Sequence, residues 1–314
     1  MTKETKHTKE DLKIMQSWDL ERKIRVTQTR IIEWYERLNG QCYVSFSGGK
    51  DSTVLLDLAR RIYPGIEAVF VDTGLEYPEI KEFVNSKENI TILRPEKGFK
   101  QVIIDEGYPV ISKAVSHNVA IARRKPDGNV AKNIMYNPNR TGMFNHYRWN
   151  FLIDAPFLVS DKCCDIMKKK PAKKYSKETG KLPILGTMAS ESKLRYANWI
   201  KNGCNSFTGA NPTSQPMSFW TEQDVLQYLK QFNIPYCSVY GDIIENNKGV
   251  LETTGCNRTG CVFCGFGCHL EKEPNRFQRL KETHPKLHEY CMKPVEKGGL
   301  GMKEVLDYIG VHYE

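Results

Sequence analysis

Cys42-Tyr43-Val44-Ser45-Phe46-Ser47-Gly48-Gly49-Lys50-Asp51-Ser52-Thr53-Val54-Leu55-Leu56-Asp57-Leu58-Ala59 decides the fold. An apolar run meets a glycine pair and a helical pattern begins at once behind it, so the segment reads as strand, tight turn and helix. Two glycines there allow positive φ and close backbone approach, and the N–H groups of the turn and helix start can converge on one anion. Ser47-Gly48-Gly49-Lys50-Asp51-Ser52 is therefore a candidate phosphate cradle. Lys50 would add a point charge, Asp51 could hold Mg²⁺ against the phosphates, and Ser47 and Ser52 could donate hydroxyl hydrogen bonds. The plain alternative is an ordinary glycine-rich turn. The spacing is not that of Walker A, which puts four residues between its first two glycines.

The chain has 314 residues, enough for a large domain with a smaller appendage. Its 46 Lys and Arg exceed 37 Asp and Glu, a net charge of +9, which permits polyanionic partners without requiring them. Met1-Thr2-Lys3-Glu4-Thr5-Lys6 has no apolar core of a signal segment, and no stretch approaches the length of a membrane span. The expectation is a cytoplasmic protein with no membrane partner. Ten cysteines in such a chain point to metal or redox chemistry in preference to disulfides.

Working outward, Asp19 to Leu38 reads as an amphipathic helix with Leu20, Ile24, Ile31, Trp34, Tyr35 and Leu38 on one side. Glu67 to Asp72 reads as a second strand, Pro78 to Ser86 as a helix, Ile90 to Leu93 as a third strand and Leu182 to Gly186 as a fourth. Thr221 to Phe232 is a helix opened by a Thr221/Asp224 capping box. Alternating strands and helices imply an α/β fold with a doubly wound, mainly parallel sheet, followed by a small helical, cysteine-rich C-terminal region. The expected segments are 1–40, helical; 41–240, nucleotide-binding; and 241–314, cysteine-rich, with a helix over Glu273 to Tyr290. Lys125 to Arg148, rich in Asn, Pro and Gly, reads as a long loop. Ligands of parallel sheets sit at the carboxyl ends of strands. Backbone groups of Val71 to Thr73 are thus candidates to read an adenine edge, and Asp72 to orient a ribose or metal, or simply to cap a turn.

Cys163-Cys164 is followed 96 residues later by Cys261-Val262-Phe263-Cys264. Four such thiolates suit a [4Fe–4S] cluster, and the same four could bind zinc. Cys256 and Cys268 bracket the C-x-x-C as substitute ligands, persulfide carriers or members of a local zinc site; Cys42, Cys204, Cys237 and Cys291 read as small buried residues.

The turn resembles the PP-loop of the adenine nucleotide alpha-hydrolase superfamily, which implies cleavage of ATP between the α and β phosphates. Lys162-Cys163-Cys164-Asp165-Ile166-Met167-Lys168-Lys169-Lys170-Pro171 is similar to the Cys-Cys motif of the adenylylsulfate and phosphoadenylylsulfate (PAPS) reductase family. Glu106-Gly107-Tyr108-Pro109, Glu191-Ser192-Lys193-Leu194-Arg195 and Pro216 through Trp220 to Val225 extend the resemblance over residues 41–265. Two departures stand out. Reductases of that family carry a nucleophilic cysteine on a C-terminal tail, whereas Gly310-Val311-His312-Tyr313-Glu314 has none. They also usually have a degenerate PP-loop, and this one is intact, as in relatives that use ATP, among them DNA phosphorothioation proteins.

The resemblance implies an adenylating sulfurtransferase: ATP and Mg²⁺ on Ser47 to Ser52, attack of an acceptor oxygen on the α-phosphate, and sulfur delivered by the cluster to displace AMP. Lys50 and Asp51 are its catalytic candidates, with Arg195 as a second phosphate clamp or a structural ion pair. The alternatives are a reductase of adenylylsulfate or PAPS that makes sulfite with thioredoxin, and a nucleotide-binding subunit of a DNA-modification assembly. Lys168 to Lys174 is a basic run, and Arg140 to Trp149 mixes Arg140, His146 and Arg148 with Phe144, Tyr147 and Trp149. Basic charge among stacking aromatics suits a nucleic-acid acceptor, against a plain solvated face. The implied partners are an adenine nucleotide, that acceptor, a sulfur donor such as a cysteine desulfurase, and a second copy of the chain.

Overall fold

The computed structural model describes residues 5–142, 145–209 and 211–314. Phe144 of the basic and aromatic stretch lies outside them. Two compact units interleave along the chain. The first comprises Met1–Asp72, Tyr77–Leu93 and Ala172–Thr259, and the second Thr73–Glu76, Arg94–Pro171 and Gly260–Glu314. The expected segments 1–40, 41–240 and 241–314 are continuous, whereas each unit is assembled from separated stretches of the chain.

The first unit holds a six-stranded sheet of β1 (Cys42–Ser45), β2 (Ala68–Val71), β3 (Ile90–Leu93), β4 (Leu182–Leu185), β5 (Asn205–Ser206) and β6 (Thr213–Ser214), in the order β3-β2-β1-β4-β6-β5. Every pairing is parallel except that of β5 with β6. β1 lies between β2 and β4, with Val44 opposite both Ala68 and Ile184. Its Cys42, Tyr43 and Val44 are buried, as a run without alternation requires in a sheet covered on both faces. Successive strands step from β1 to β2 to β3 in one direction, and β4 is added on the other side. The strand order therefore reverses at β1, and the crevice for a ligand opens where β1 ends.

The helix Leu20–Arg37 starts as expected, with Asp19 accepting from the Arg22 amide at 2.7 Å. Its buried stripe is Leu20, Lys23, Thr27, Ile31 and Trp34, so two polar residues take places where Ile24 and Tyr35 were expected. Both have partners: Lys23 Nζ bonds both Asp224 oxygens and the Gln16 carbonyl, and Thr27 Oγ1 accepts from Trp220 Nε1 at 2.8 Å. A buried charge survives only with such partners. The Thr221/Asp224 capping box is present in both directions on helix Glu222–Gln231.

In the second unit, the helix expected over Glu273 to Tyr290 is two, Arg276–Thr283 and Pro285–Met292, because Pro285 has no N–H and starts a new helix. The loop expected from Lys125 to Arg148 contains a helical turn, Ala131–Met135, with both end residues fully buried. Its i,i+4 apolar pair was hidden by the surrounding Asn, Pro and Gly. The helix Lys113–Arg124, capped by Ser112, buries Val115, Val119 and Ala122. Among the described residues no helix is long and apolar enough to cross a membrane.

Candidate functional site

β1 delivers the Ser47–Ser52 turn in the first unit. Gly48 sits at φ +70°, and a Cβ there would lie 2.8 Å from Ile80 Cγ2 and 3.0 Å from Val84 Cγ2. Both the conformation and the space demand glycine. Gly49 is the N-cap of helix Lys50–Ile62 and, having no side chain, leaves the helix start without a side-chain cap. The Ser47 and Ser52 hydroxyls lie 3.0 Å apart, and Ser52 Oγ donates to the Gly49 carbonyl at 2.9 Å. The turn is thus pinned by its own serines, with an anion-attracting helix end in front of it.

Lys50 is almost fully buried. Its Nζ donates to the Asn257 carbonyl at 2.8 Å, lies 3.1 Å from Glu222 Oε1, and sits over the Tyr240 ring. Tyr240 OH accepts from the Lys50 amide and pairs with Thr259 Oγ1 at 2.7 Å. The stretch from Asn257 to Thr259 therefore closes over the turn. No motif marks this stretch, and nothing in its composition announces contact with a residue two hundred positions earlier.

Asp51 Oδ1 is buried without a hydrogen-bond partner, and so is Thr187 Oγ1, just beyond the end of β4. A Cβ on the intervening Gly186 would stand 3.2 Å from the Asp51 carbonyl oxygen, so the β4 end runs close against the turn. Burial pushes the Asp51 carboxyl up, Glu222 adding to it against the opposing charge of Lys50. Asp51 Oδ1 and Thr187 Oγ1 are the oxygens among the buried polar atoms without partners in the described residues, and both are chemically able to meet a cation or a phosphate. Thr187 escaped the sequence reading, since one threonine after a strand carries no signal.

Arg195 is ion-paired with Glu191, whose Oε2 also accepts from the Met188 amide at 2.8 Å. Burial, then the like charge of Arg258, lowers the Arg195 guanidinium below its usual range, with Asp51 opposing. It holds a structural pair and faces the field of the turn at once. Val71 ends β2. Asp72 Oδ1 binds Lys81 Nζ at 2.8 Å. Thr73, in the second unit, donates both its amide and its hydroxyl to Glu76, at 3.1 and 2.7 Å.

The second unit gathers Cys163, Cys164, Cys261 and Cys264, all as free thiols. Cys163 Sγ lies 4.0 Å from Cys164 Sγ and donates to it. That bond pushes the Cys163 thiol up, while it, with Lys113 and Lys168, holds Cys164 well below the usual thiol range. Burial opposes the Lys168 charge, but Cys261 and Glu76 outweigh it and keep the ammonium on. Burial raises Cys261, and raises Cys264 to about 11. Arg276 Nη1 donates to the Cys264 carbonyl at 2.9 Å. The strand Gly265–Phe266 pairs with Val110–Ile111, where Ile111 is held at φ +60°, a strained setting for a β-branched residue.

Cys268 is buried and its thiol donates to the Gly265 carbonyl at 3.1 Å. Cys256 belongs to the first unit and Cys261, Cys264 and Cys268 to the second. Cys42, Cys204, Cys237 and Cys291 are buried. Among the described residues, no three His, Cys, Asp or Glu side chains form a group that could hold a metal ion, the four cysteines of the expected cluster included.

The family model of the phosphoadenosine phosphosulfate reductase domain matches residues 41–114 and 111–265. An uncharacterised protein of Methanocaldococcus jannaschii is 25% identical over 291 residues, covering 88% of this chain and 53% of that one. The chain thus spans about half the length of this relative, and 41% of a second uncharacterised protein of that organism. An adenosine 5′-phosphosulfate reductase of Anoxybacillus flavithermus is 24% identical over 285 residues, covering 87% of this chain and 98% of that one. The crystal structure of a phosphoadenylyl-sulfate reductase from Candida auris covers 74% of this chain and 90% of its own at 13% identity, with a TM-score of 0.39.

Proposed function

Because the chain belongs to the phosphoadenosine phosphosulfate reductase domain family, we propose that it binds an adenine nucleotide on Ser47–Ser52 and cleaves ATP between its α and β phosphates, adenylating an acceptor for sulfur insertion. The observation that carries this reading is the pair of buried, partnerless oxygens, Asp51 Oδ1 and Thr187 Oγ1, beside an uncapped helix start.

An acceptor oxygen attacks the α-phosphorus; one P–O bond forms, the α–β bond breaks, and pyrophosphate leaves. Lys50 exchanges its Asn257 and Glu222 oxygens for those of the departing pyrophosphate and neutralises the charge that grows there. Thr187 donates its hydroxyl to a phosphate oxygen. Asp51 would hold Mg²⁺, which would supply positive charge to the phosphates when bound. Arg195 steadies the Glu191 turn and adds positive field. Val71 and Asp72, at the end of β2, are assigned to the adenosine.

Cys163, Cys164, Cys261 and Cys264 are assigned as ligands of a [4Fe–4S] cluster: four free, partly buried thiols with Lys113, Lys168 and Arg276 around them fit that donor chemistry. Such a cluster supplies a redox-active, polarising centre when bound.

Pyrophosphate release from ATP by anaerobically purified protein, wild type against Lys50→Ala, tests the reading. Lysine-dependent release supports it, and ATP left intact with acceptor present sinks it. The second reading, a sulfonucleotide reductase, is favoured by the names of its relatives; formation of sulfite from adenylylsulfate with thioredoxin would select it.

A further inference from the structure

The second unit carries a cleft of about 420 Å³ to which the nucleotide reading assigns no role. One wall is a single face of helix Lys113–Arg124, because Lys113, His117, Ala120 and Arg124 recur at helical spacing and all line it. At 1.5 Å per residue, Lys113 and Arg124 stand about 16 Å apart along that wall. The facing wall is the segment around Cys164, which adds Lys162, Lys169 and Lys170.

The charges do not cancel. Glu106 binds Lys162 at 2.8 Å, Asp161 faces His117 at 3.4 Å, and Asp165 lies 3.7 Å from Lys169. These three carboxylates face five Lys and Arg of the lining, a formal excess of two, and Arg124 and Lys170 are the lining cations set neither against one of the three nor against Cys164. The turn Ala131–Met135 and the segment Tyr147–Asp154 pack on the same helix, and they bring Tyr136, Tyr147 and Phe151 to the surface as exposed rings. A row of cations along a cleft matches a strand of linked phosphates, and the exposed rings, carried by elements packed on the same helix outside the cleft lining, offer stacking faces to unstacked bases.

We propose that this cleft binds the backbone of single-stranded nucleic acid and leads it to Cys164. The claim is independent of ATP, so the two readings fail separately.

The test is fluorescence anisotropy of a labelled single-stranded oligonucleotide with the full chain, without nucleotide, across a salt series. Arg124→Ala combined with Lys170→Ala weakens binding about tenfold and lowers the slope of log affinity against log salt by about 1.4, two phosphate contacts of a single strand. Lys286→Ala, an exposed lysine of the same unit away from the cleft, changes neither. Equal loss in the Lys286→Ala control, or a double variant that binds as wild type does, overturns the proposal. Tripolyphosphate competing for the cleft while the oligonucleotide fails to bind overturns it as well, since the ligand is then a small polyphosphate.

Discussion

The Lys50 ammonium donates to the Asn257 carbonyl oxygen at 2.8 Å, so the lysine of the glycine turn is tied to the loop between Cys256 and Cys261. A buried cation held by a neutral carbonyl and a half-exposed carboxylate is readily transferred to a better anion. Lys50→Ala is expected to cut pyrophosphate release by about 10²–10³-fold, the usual loss of one electrostatic donor at a reacting centre. The rate ratio at saturating ATP checks it; a loss confined to KM would remove Lys50 from the chemical step.

Gly48→Ala forces a side chain into φ +70° and drives its Cβ against Ile80 and Val84. The left-handed strain alone costs about 1–2 kcal/mol, so the variant should melt several degrees lower and bind ATP poorly. Thermal melting and nucleotide titration read the two effects separately. Unaltered ATP binding would show that the turn is no cradle.

The sequence announced this turn, the parallel strands and the capped helix at Thr221, because each rests on neighbours within a few residues. The tandem cysteines and C-x-x-C were legible as a spacing; all four lie in one unit, and among the described residues they form no metal-holding group. What escaped are relations between distant residues. Tyr240 and Asn257 have no motif, and they matter only because the chain returns to Lys50 from 190 and 207 positions away, with Thr259 bonded to Tyr240. The polar stripe of Leu20–Arg37 was misread for the same reason: Lys23 is buried because Asp224, 201 positions on, accepts its charge. Lys113–Arg124, a local element, went unassigned because it runs straight into the stretch from Lys125 rich in Asn, Pro and Gly.

Thr187→Val should separate stability from function. Its hydroxyl is buried without a partner, a state that costs about 1–3 kcal/mol. Without nucleotide the isosteric variant is expected to melt at or above the wild-type temperature, while its KM for ATP rises. If apo stability falls instead, the hydroxyl has a structural partner and Thr187 leaves the phosphate site.

Acid lability should trace to Glu67 in the first unit. Burial opposes its charge, but hydrogen bonds from Lys181, Thr91 and Tyr175 outweigh that and hold the carboxylate below the usual range. A depressed folded value means that its stabilisation is present above the unfolded value, near pH 4.3, and is lost as pH falls through the lower folded one. Glu67→Gln should therefore lower the melting temperature at pH 7 and flatten its fall below pH 4.5. Parallel melting curves of the two proteins over that window would refute the assignment.

Iron content discriminates among the cysteines. Cys164 and Cys264 lie in the electrostatically linked group, where Cys163, Lys113 and Lys168 pull the Cys164 thiol below its usual range. Cys268 instead donates to the Gly265 carbonyl, and Cys256 belongs to the other unit. Anaerobically reconstituted Cys164→Ser and Cys264→Ser should lose most of their iron and its visible absorption, whereas Cys256→Ser and Cys268→Ser should keep both. A bystander thiol that bonds only a carbonyl can be exchanged for a hydroxyl with little change, but a ligating thiolate cannot, because the hydroxyl of serine stays protonated near neutral pH and binds iron poorly. Iron lost from Cys268→Ser at wild-type melting temperature would move the fourth ligand to Cys268. Zinc, not iron, lost from Cys164→Ser would replace the cluster with a thiolate zinc site.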